Sequence, residues 1–397
     1  MTAVAPEKVR LRSRLFAGVV AGWALANVAD SLLMVILGVW VAELTASAAL
    51  GALTFALFGV PALFAPMIGR LADRVSRRRM LVVSYSVAVA GLVPLFLVQD
   101  PSQFWIIYAS VVVYAAVSYA TAGCRGGILR DLLSDDDLGP ANALLQSIDQ
   151  VLRLTLPFVA AGVYLWTGPL PIVAAAVVAF ALAALAFALL RFAESPVEED
   201  PDPFWRSVTA GFRHLFTAAP LGRLTVSLML LSSTAAFTSA VGFAVLERMG
   251  VEAAWMGPLE AMIGLGGLVA GLTGALLMTR FGRVRVMTGG ALLMAVGVAP
   301  MLGDDVWLMG AGLAVIGLGV TAAVIAYVTE SQIRTPARLQ GRVGTTVNML
   351  LQLPAVFITA GGAAMLGIID ARVIVGCGIT MSVAAFAIAA TTRAARG

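Results

Sequence analysis

Gly69-Arg70-Leu71-Ala72-Asp73-Arg74-Val75-Ser76-Arg77-Arg78 is the stretch whose reading decides the fold. Five arginines, Arg70, Arg74, Arg77, Arg78 and Arg79, crowd between two apolar runs at about 48–72 and 80–98. A short, dense positive loop between two such runs is what stays on the cytoplasmic side when two helices cross a bilayer. Roughly 20 apolar residues cover the ~30 Å hydrocarbon layer. Outward from the loop, runs of that length recur at about 15–43, 104–124, 140–166, 169–191, 221–246, 254–279, 286–303, 306–329, 343–367 and 371–391. Irregular backbone cannot face lipid, so all of these are expected to be helices, which predicts twelve spans.

Composition agrees. The chain is 60% hydrophobic and 12% charged, with mean hydropathy +0.95, against about 45–50% and about 25% in a soluble domain. There are too few charges to coat soluble surfaces, so the bilayer is the main solvent. The net charge of +4 does not point to nucleic acid, because the arginines are scattered through short loops and Lys8 is the only lysine. The basic N-terminal residues before Leu15–Leu44 resemble a signal peptide. A signal core is only about 7–15 residues long, so the run is read as a retained first span.

Arginine and lysine counting sets the orientation. With the N-terminus inside, 23 of 26 basic residues fall on the cytoplasmic side, Arg248 and Arg372 fall outside, and Arg153 lies within a span. Both termini are therefore expected in the cytoplasm, with the chain in the inner (cytoplasmic) membrane. The longest polar break divides the chain into a six-helix bundle at 1–192, a cytoplasmic linker at 193–220 and a second six-helix bundle at 221–397. The linker carries Glu194, Glu198, Glu199, Asp200 and Asp202, then an interfacial helix with Arg206 and Arg213 on its polar side. It reads first as a tether.

A repeat links the two halves. Gly274 through Arg283, including Thr279, Arg280 and Gly282, restates the Gly69–Arg78 loop about 206 residues later. The loop from Asp131 to Ala141 has its counterpart from Gln332 to Val343. Duplicated bundles of this kind are a transporter architecture.

At these loops the chain resembles the major facilitator superfamily. Gly69, Asp73, Arg74, Arg77 and Arg78 match its signature Gly-x-x-x-Asp-Arg-x-Gly-Arg-Arg/Lys, with Ser76 in place of a glycine. Within the superfamily, three stretches resemble the macrolide-efflux and enterobactin-exporter branch. They are Asn27 to Asp30, Gly139-Pro140-Ala141-Asn142, and Gln332 with Pro336, Gln340, Gly341, Arg342 and Val343. The resemblance implies an all-α fold of two pseudo-symmetric six-helix bundles. It also implies proton-coupled export of drug-like or siderophore-like amphipathic small molecules, and the chain is expected to act as a monomer. The superfamily's antiporter signature survives only as Leu156-Pro157 with Ala160 and Ala161, so its glycines are lost. Lysophospholipid carriers share similar loops, which leaves a lipid substrate as the alternative within the fold. A non-transporting membrane receptor built on the same fold is the alternative of a different class.

Several residues are expected to carry the chemistry. In the signature loop, Asp73 can sit against a helix N-terminus of the opposite half, and Arg77 is placed to pair with Asp131. Charges within spans cost ~2.5–3.5 kcal/mol on insertion scales and are functional candidates by default. Asp30, Asp149, Arg153 and Glu260 qualify. Asp30 lies ~22 Å along its helix at ~1.5 Å per residue, near the midplane, and has no partner in its own span. Asp149 and Arg153 form an i,i+4 pair. Aromatic and polar side chains that suit an amphipathic ligand are Tyr108, Tyr114, Ser118, Tyr119, Thr234, Thr238, Asn348 and Gln352.

Other chemistries are excluded or disfavoured. With Lys8 as the only lysine there is no Gly-x-x-x-x-Gly-Lys phosphate loop. Gly264, Gly266, Gly267, Gly271 and Gly274 read instead as close helix packing. His214 is the sole histidine, which argues against a histidine metal site, and no nucleophile–base pair suggests an enzyme. Two cysteines, Cys124 and Cys377, are too few for a disulfide framework. No cofactor is expected.

Overall fold

The computed structural model describes residues 9–192, 194, 206, 209–251, 255–351 and 370–394. Among these every regular element is helical. In chain order they are α1 (Arg14–Thr45), α2 (Ala48–Leu57), α3 (Ala65–Arg74), α4 (Arg77–Leu92), α5 (Phe104–Leu132), α6 (Asp135–Thr167) and α7 (Leu170–Leu189). There follow α8 (Ala210–Thr217), α9 (Leu221–Arg248), α10 (Met256–Phe281), α11 (Arg283–Val298), α12 (Val306–Arg334), α13 (340–351) and α14 (Ala371–Ala394).

Ten helices among the described residues are long and apolar enough to cross a membrane. Leu185, Leu272 and Leu276 are more than half exposed on them. Side chains of this kind on a water-facing surface would form an aggregating patch, and on a bilayer-facing one they are solvated by acyl chains. Of the twelve expected spans, two fall outside these ten. The span expected at 343–367 lies largely beyond the described residues. The span expected at 48–72 is broken into α2, a 3₁₀ turn at Val60–Phe64 and α3. Pro61 and Pro66 stand in the first turns of the last two pieces, where a residue without an amide hydrogen costs no helical hydrogen bond.

Local chemistry sets the other boundaries. Ser13 caps α1 by accepting from the Phe16 amide at 3.1 Å. Ser134 caps α6, whose first turn holds Asp135, Asp136 and Asp137 against the positive helix end. Arg125 and Arg130 lie inside α5, which runs on through Gly126 and Gly127 to Leu132.

By contact the described chain groups into two compact units. The first comprises Met1–Asp137, Leu152–Phe212 and Thr335–Met349. In it α1 packs on α7, and α4 on both α5 and α7. Tyr85 of α4 stacks between Phe180 and Phe187 of α7, with centroids at 5.9 and 6.0 Å. Trp23 of α1 meets Phe187 at 5.8 Å.

The second unit comprises Leu138–Val151, Arg213–Arg334 and Leu350–Gly397. Here α12 packs tightly on α10 and α11. Gly266 and Gly317 each present their Cα to the backbone of the facing helix, at Ala314 and Ile263, with no room for a Cβ. This is the close packing expected of the α10 glycines. Arg248 and Arg372, the two arginines assigned to the outer side, both approach the Asp304 carboxylate, at 3.4 and 3.6 Å.

Candidate functional site

The arginine loop forms a tight helix–helix turn in the first unit. α3 ends at Arg74, Val75 is extended (φ −120°, ψ 150°), and Ser76 caps α4, its hydroxyl oxygen accepting from the Arg79 amide. Arg77, the first residue of α4, is turned inward and is only 7% exposed. Its Nη1 is ion-paired with Asp131 of α5, itself 3% exposed. Its Nη2 donates to the carbonyl oxygen of Ala337 at 2.9 Å. A buried guanidinium is stable only when its charge is matched and its fork of donors is used, and both conditions are met. Gly127 stands one turn before Asp131 on α5, and a Cβ there would overlap the Arg77 guanidinium.

Glu194 completes the turn. Its carboxylate accepts from the Arg77 amide at 2.6 Å, the Ser76 hydroxyl at 2.9 Å and the Arg78 amide at 3.1 Å. Arg78 in turn donates through Nη1 to the Leu190 carbonyl at 2.6 Å, just past α7. Gly69 of α3 is buried against α13, where an added Cβ would stand 2.8 Å from the Arg342 Cα. Arg74 is exposed, and the Asp73 side chain lies outside the described residues.

The second copy of the loop builds a matching pair in the second unit. Arg283 occupies the place of Arg77, and its Nε is 2.6 Å from Glu330 near the end of α12. Arg334, one turn on, approaches the other oxygen of the same carboxylate at 2.5 Å. Glu330 is 3% exposed.

Residues 138–151 of α6 belong to this second unit and lie along the α10 glycines and α12. The Asn142 amide donates to Gln332 at 2.7 Å and Thr329 at 3.1 Å, and Gln150 donates to Thr321 at 3.2 Å. A Cβ on Gly271 would stand 3.1 Å from both the Cα and the Cβ of Ser147. The spacing 139, 142–143, 146–147 and 150 places these residues on one helix face. That face is polar, unlike an ordinary apolar seam.

The charged span residues sit as follows. Asp30 is half-buried on α1. The Tyr85 hydroxyl lies within electrostatic reach of Asp30, Cys124 and Arg125 and is hydrogen-bonded to Thr121. The Arg125 guanidinium also lies 6.0 Å from the Trp23 ring centroid. Tyr85 of α4 is thus the group that has both Asp30 of α1 and Arg125 of α5 as electrostatic neighbours. Asp149 is half-buried; Arg153, one turn later on α6, and Glu260 on α10 are exposed.

Among the ligand-lining candidates, Tyr108 donates to the Leu50 carbonyl at 2.7 Å and Tyr114 packs edge-on to Phe58 at 5.5 Å. Tyr119 is buried and Ser118 half-buried. Thr234 donates to Leu230 and Gly378, and Thr238 to Ala235. Asn348 is half-buried on α13, and Gln352 lies outside the described residues. Cys124 is buried, Cys377 exposed, and neither forms a disulfide. Among the described residues no group of three or more His, Cys, Asp or Glu side chains is placed to hold a metal ion.

Apolar spans and a loop repeated with its own arginine–carboxylate pair define a multi-pass membrane protein of duplicated design. The profile of the Major Facilitator Superfamily matches residues 19–359. The chain belongs to that superfamily. No curated protein sequence matches it.

The fold is shared with solved structures at low identity. A bacterial homologue of the iron transporter ferroportin, in an outward-facing state, superposes with TM-score 0.81 at 14% identity, covering 96% of this chain and 100% of that one. The human organic anion transporter MFSD10 gives 0.79 at 16%, covering 95% and 99%. The E. coli fucose:proton symporter FucP gives 0.76 at 13%, covering 95% and 97%.

Proposed function

We propose that this chain is a secondary active transporter that exports amphipathic small molecules, drug-like or siderophore-like, in exchange for protons. The observation that carries the reading is the bridge made by Arg77. Its guanidinium joins Asp131, from the first half of the sequence, to the Ala337 carbonyl, from the second. A single side chain shared in this way is a gate on the arginine-rich, cytoplasmic side. Opening breaks the neutral bond to Ala337 while the ion pair to Asp131 keeps the guanidinium matched. The charge therefore never stands alone in a low dielectric, and the barrier to opening stays low.

Asp30 is the proposed proton carrier. It sits midway along α1, with Tyr85 in reach of both it and Arg125. A carboxylate beside a phenol changes its proton affinity when that phenol, itself within reach of a cation, moves. Rocking of the bundles that shifts α1 against α5 then couples proton transfer to substrate movement.

The test is uptake into everted vesicles carrying a pH-sensitive dye, with a panel of cationic, neutral and siderophore-like compounds. Substrate-dependent collapse of an imposed proton gradient is the expected result. A chain that moves none of the panel under either gradient direction, while correctly inserted, overturns the proposal.

A further inference from the structure

We infer that the second copy of the arginine loop receives the phosphate of an anionic phospholipid from the leaflet on the arginine side. Arg280, Arg283 and Arg334 supply the charge, and the exposed face of α10 is the bed for an acyl chain. All of these residues lie in the second unit. The inference goes beyond the transport reading and does not need it.

Unmatched charge is the first observation. Arg283 and Arg334 each reach the Glu330 carboxylate through Nε, at 2.6 and 2.5 Å. Two guanidiniums against one carboxylate leave a whole positive charge over, and they also leave donors. Among the described residues neither Nη of Arg283 has an acceptor, and Arg334 has only the Ala219 carbonyl, 3.5 Å from Nη1. Both side chains are partly exposed. In the first copy, by contrast, Arg77 is buried and both of its Nη atoms are spent.

The two loops differ in composition to match. Thr279 stands where the first copy has Asp73, and residues 279–285 hold three arginines and no acid. Arg280 and Arg285 are exposed. Guanidinium groups with unspent N–H donors fit phosphate oxygens, which they bind in parallel pairs.

The apolar face of α10 says where that phosphate comes from. Leu265, Val269, Leu272 and Leu276 are all exposed on it. Steps of four, three and four residues put them on one face, and Arg280 continues the same stripe. From Leu265 to Leu276 the stripe runs ~16 Å at ~1.5 Å per residue, close to half of the ~30 Å hydrocarbon layer. An acyl chain laid along it carries its headgroup to Arg280, and Arg283 follows three residues later. A free phosphate ion would gain nothing from the stripe. Keeping arginines on one side of the membrane requires neither the shared carboxylate nor the unspent donors.

Native mass spectrometry of the purified full chain in neutral detergent tests this without substrate or gradient, so its outcome is separate from that of the vesicle assay. The probes are phosphatidylglycerol, phosphatidylcholine with the same acyl chains, and inorganic phosphate. Phosphatidylglycerol should bind most tightly. Arg280→Gln and Arg283→Gln should each weaken it about fivefold, the effect of one arginine near an anionic lipid surface. Arg79→Gln makes the same change of charge in the first loop and should leave binding unchanged. Equal weakening by Arg79→Gln would reduce the effect to general attraction and overturn the inference. Phosphatidylcholine bound as tightly would overturn it too, because no anionic headgroup would then be selected. Inorganic phosphate that displaces the lipid at equal concentration would make this a free-anion site, with the same consequence. If Arg283→Gln does not fold, Arg280→Gln decides alone: a fivefold loss supports the inference, and unchanged binding overturns it.

Discussion

Arg283 and Glu330, 2.6 Å apart in the second unit, repeat the pairing of Arg77 with Asp131 in the first. In both copies the arginine starts the helix after the loop, and the carboxylate stands near the end of the next helix. The two pairs differ in surroundings. Arg77 is nearly buried, whereas the Arg283 side chain is 39% exposed and Glu330 has a second arginine in Arg334. Identical chemistry should therefore tolerate mutation differently in the two halves.

Asp131→Ala leaves the buried Arg77 charge unmatched, and breaking such a pair costs about 3–5 kcal/mol. The expected result is a large fall in thermal stability, with part of the loss recovered when Arg77→Met is added. A double-mutant cycle on the purified protein measures this. Additive losses would show that the pair is not coupled.

In the second copy, Arg334→Ala should be mild, because Arg283 still neutralises Glu330 and Arg334 is partly solvated. Glu330→Gln should be clearly worse, because two arginines lose one carboxylate. Midpoints of thermal unfolding for the two variants, compared side by side, check the ranking. Equal losses would count against it.

Gly271→Ala inserts a methyl where Ser147 already sits. It should push residues 138–151 of α6 off α10 and reduce vesicle transport several-fold. Ser147→Gly vacates the same space and should restore part of the activity in the double variant, measured by initial rates. Absence of any rescue would mean the clash is absorbed elsewhere.

Asp30→Asn keeps the volume but cannot cycle a proton. Gradient-driven accumulation should be lost while substrate binding and downhill movement persist, and Glu at this position should restore partial coupling. Proton release on substrate addition, followed over a pH series, is the decisive measurement. If wild type and Asp30→Asn release equal numbers of protons at the same midpoint, Asp30 is structural and Asp149 is next in line.

On the gate reading, Asp73→Asn should impair transport while the protein stays folded. Spin-label distances across the cytoplasmic ends of the spans report the inward- and outward-facing populations. Unchanged transport with unchanged populations would reject a gating role for Asp73.

Much of this protein was legible in its residues. Long apolar runs need internally bonded backbone in a bilayer, so helices followed from composition and period alone, and the repeat was visible because loop motifs are local. Pro61 and Pro66 announced the break in the span at 48–72, yet hydropathy averages over them and reads one continuous run. Arg125 lies within a helix that continues to Leu132, a continuation that hydropathy alone does not reveal.

The sequence by itself determined the solvent, the helices, the duplicated loop and the identity of Arg77 as its central charge, because each depends on residues near one another in the chain. Only the tertiary structure decided what those residues touch. Glu194 read as one acid in an acidic linker, Gly127 as an ordinary small residue, and Ala337 as nothing at all. Their roles come from approach between segments more than a hundred residues apart in most cases. A carboxylate becomes a cap, and a missing Cβ becomes room for a guanidinium or a neighbouring helix, only when packing brings the two surfaces within hydrogen-bond or van der Waals distance.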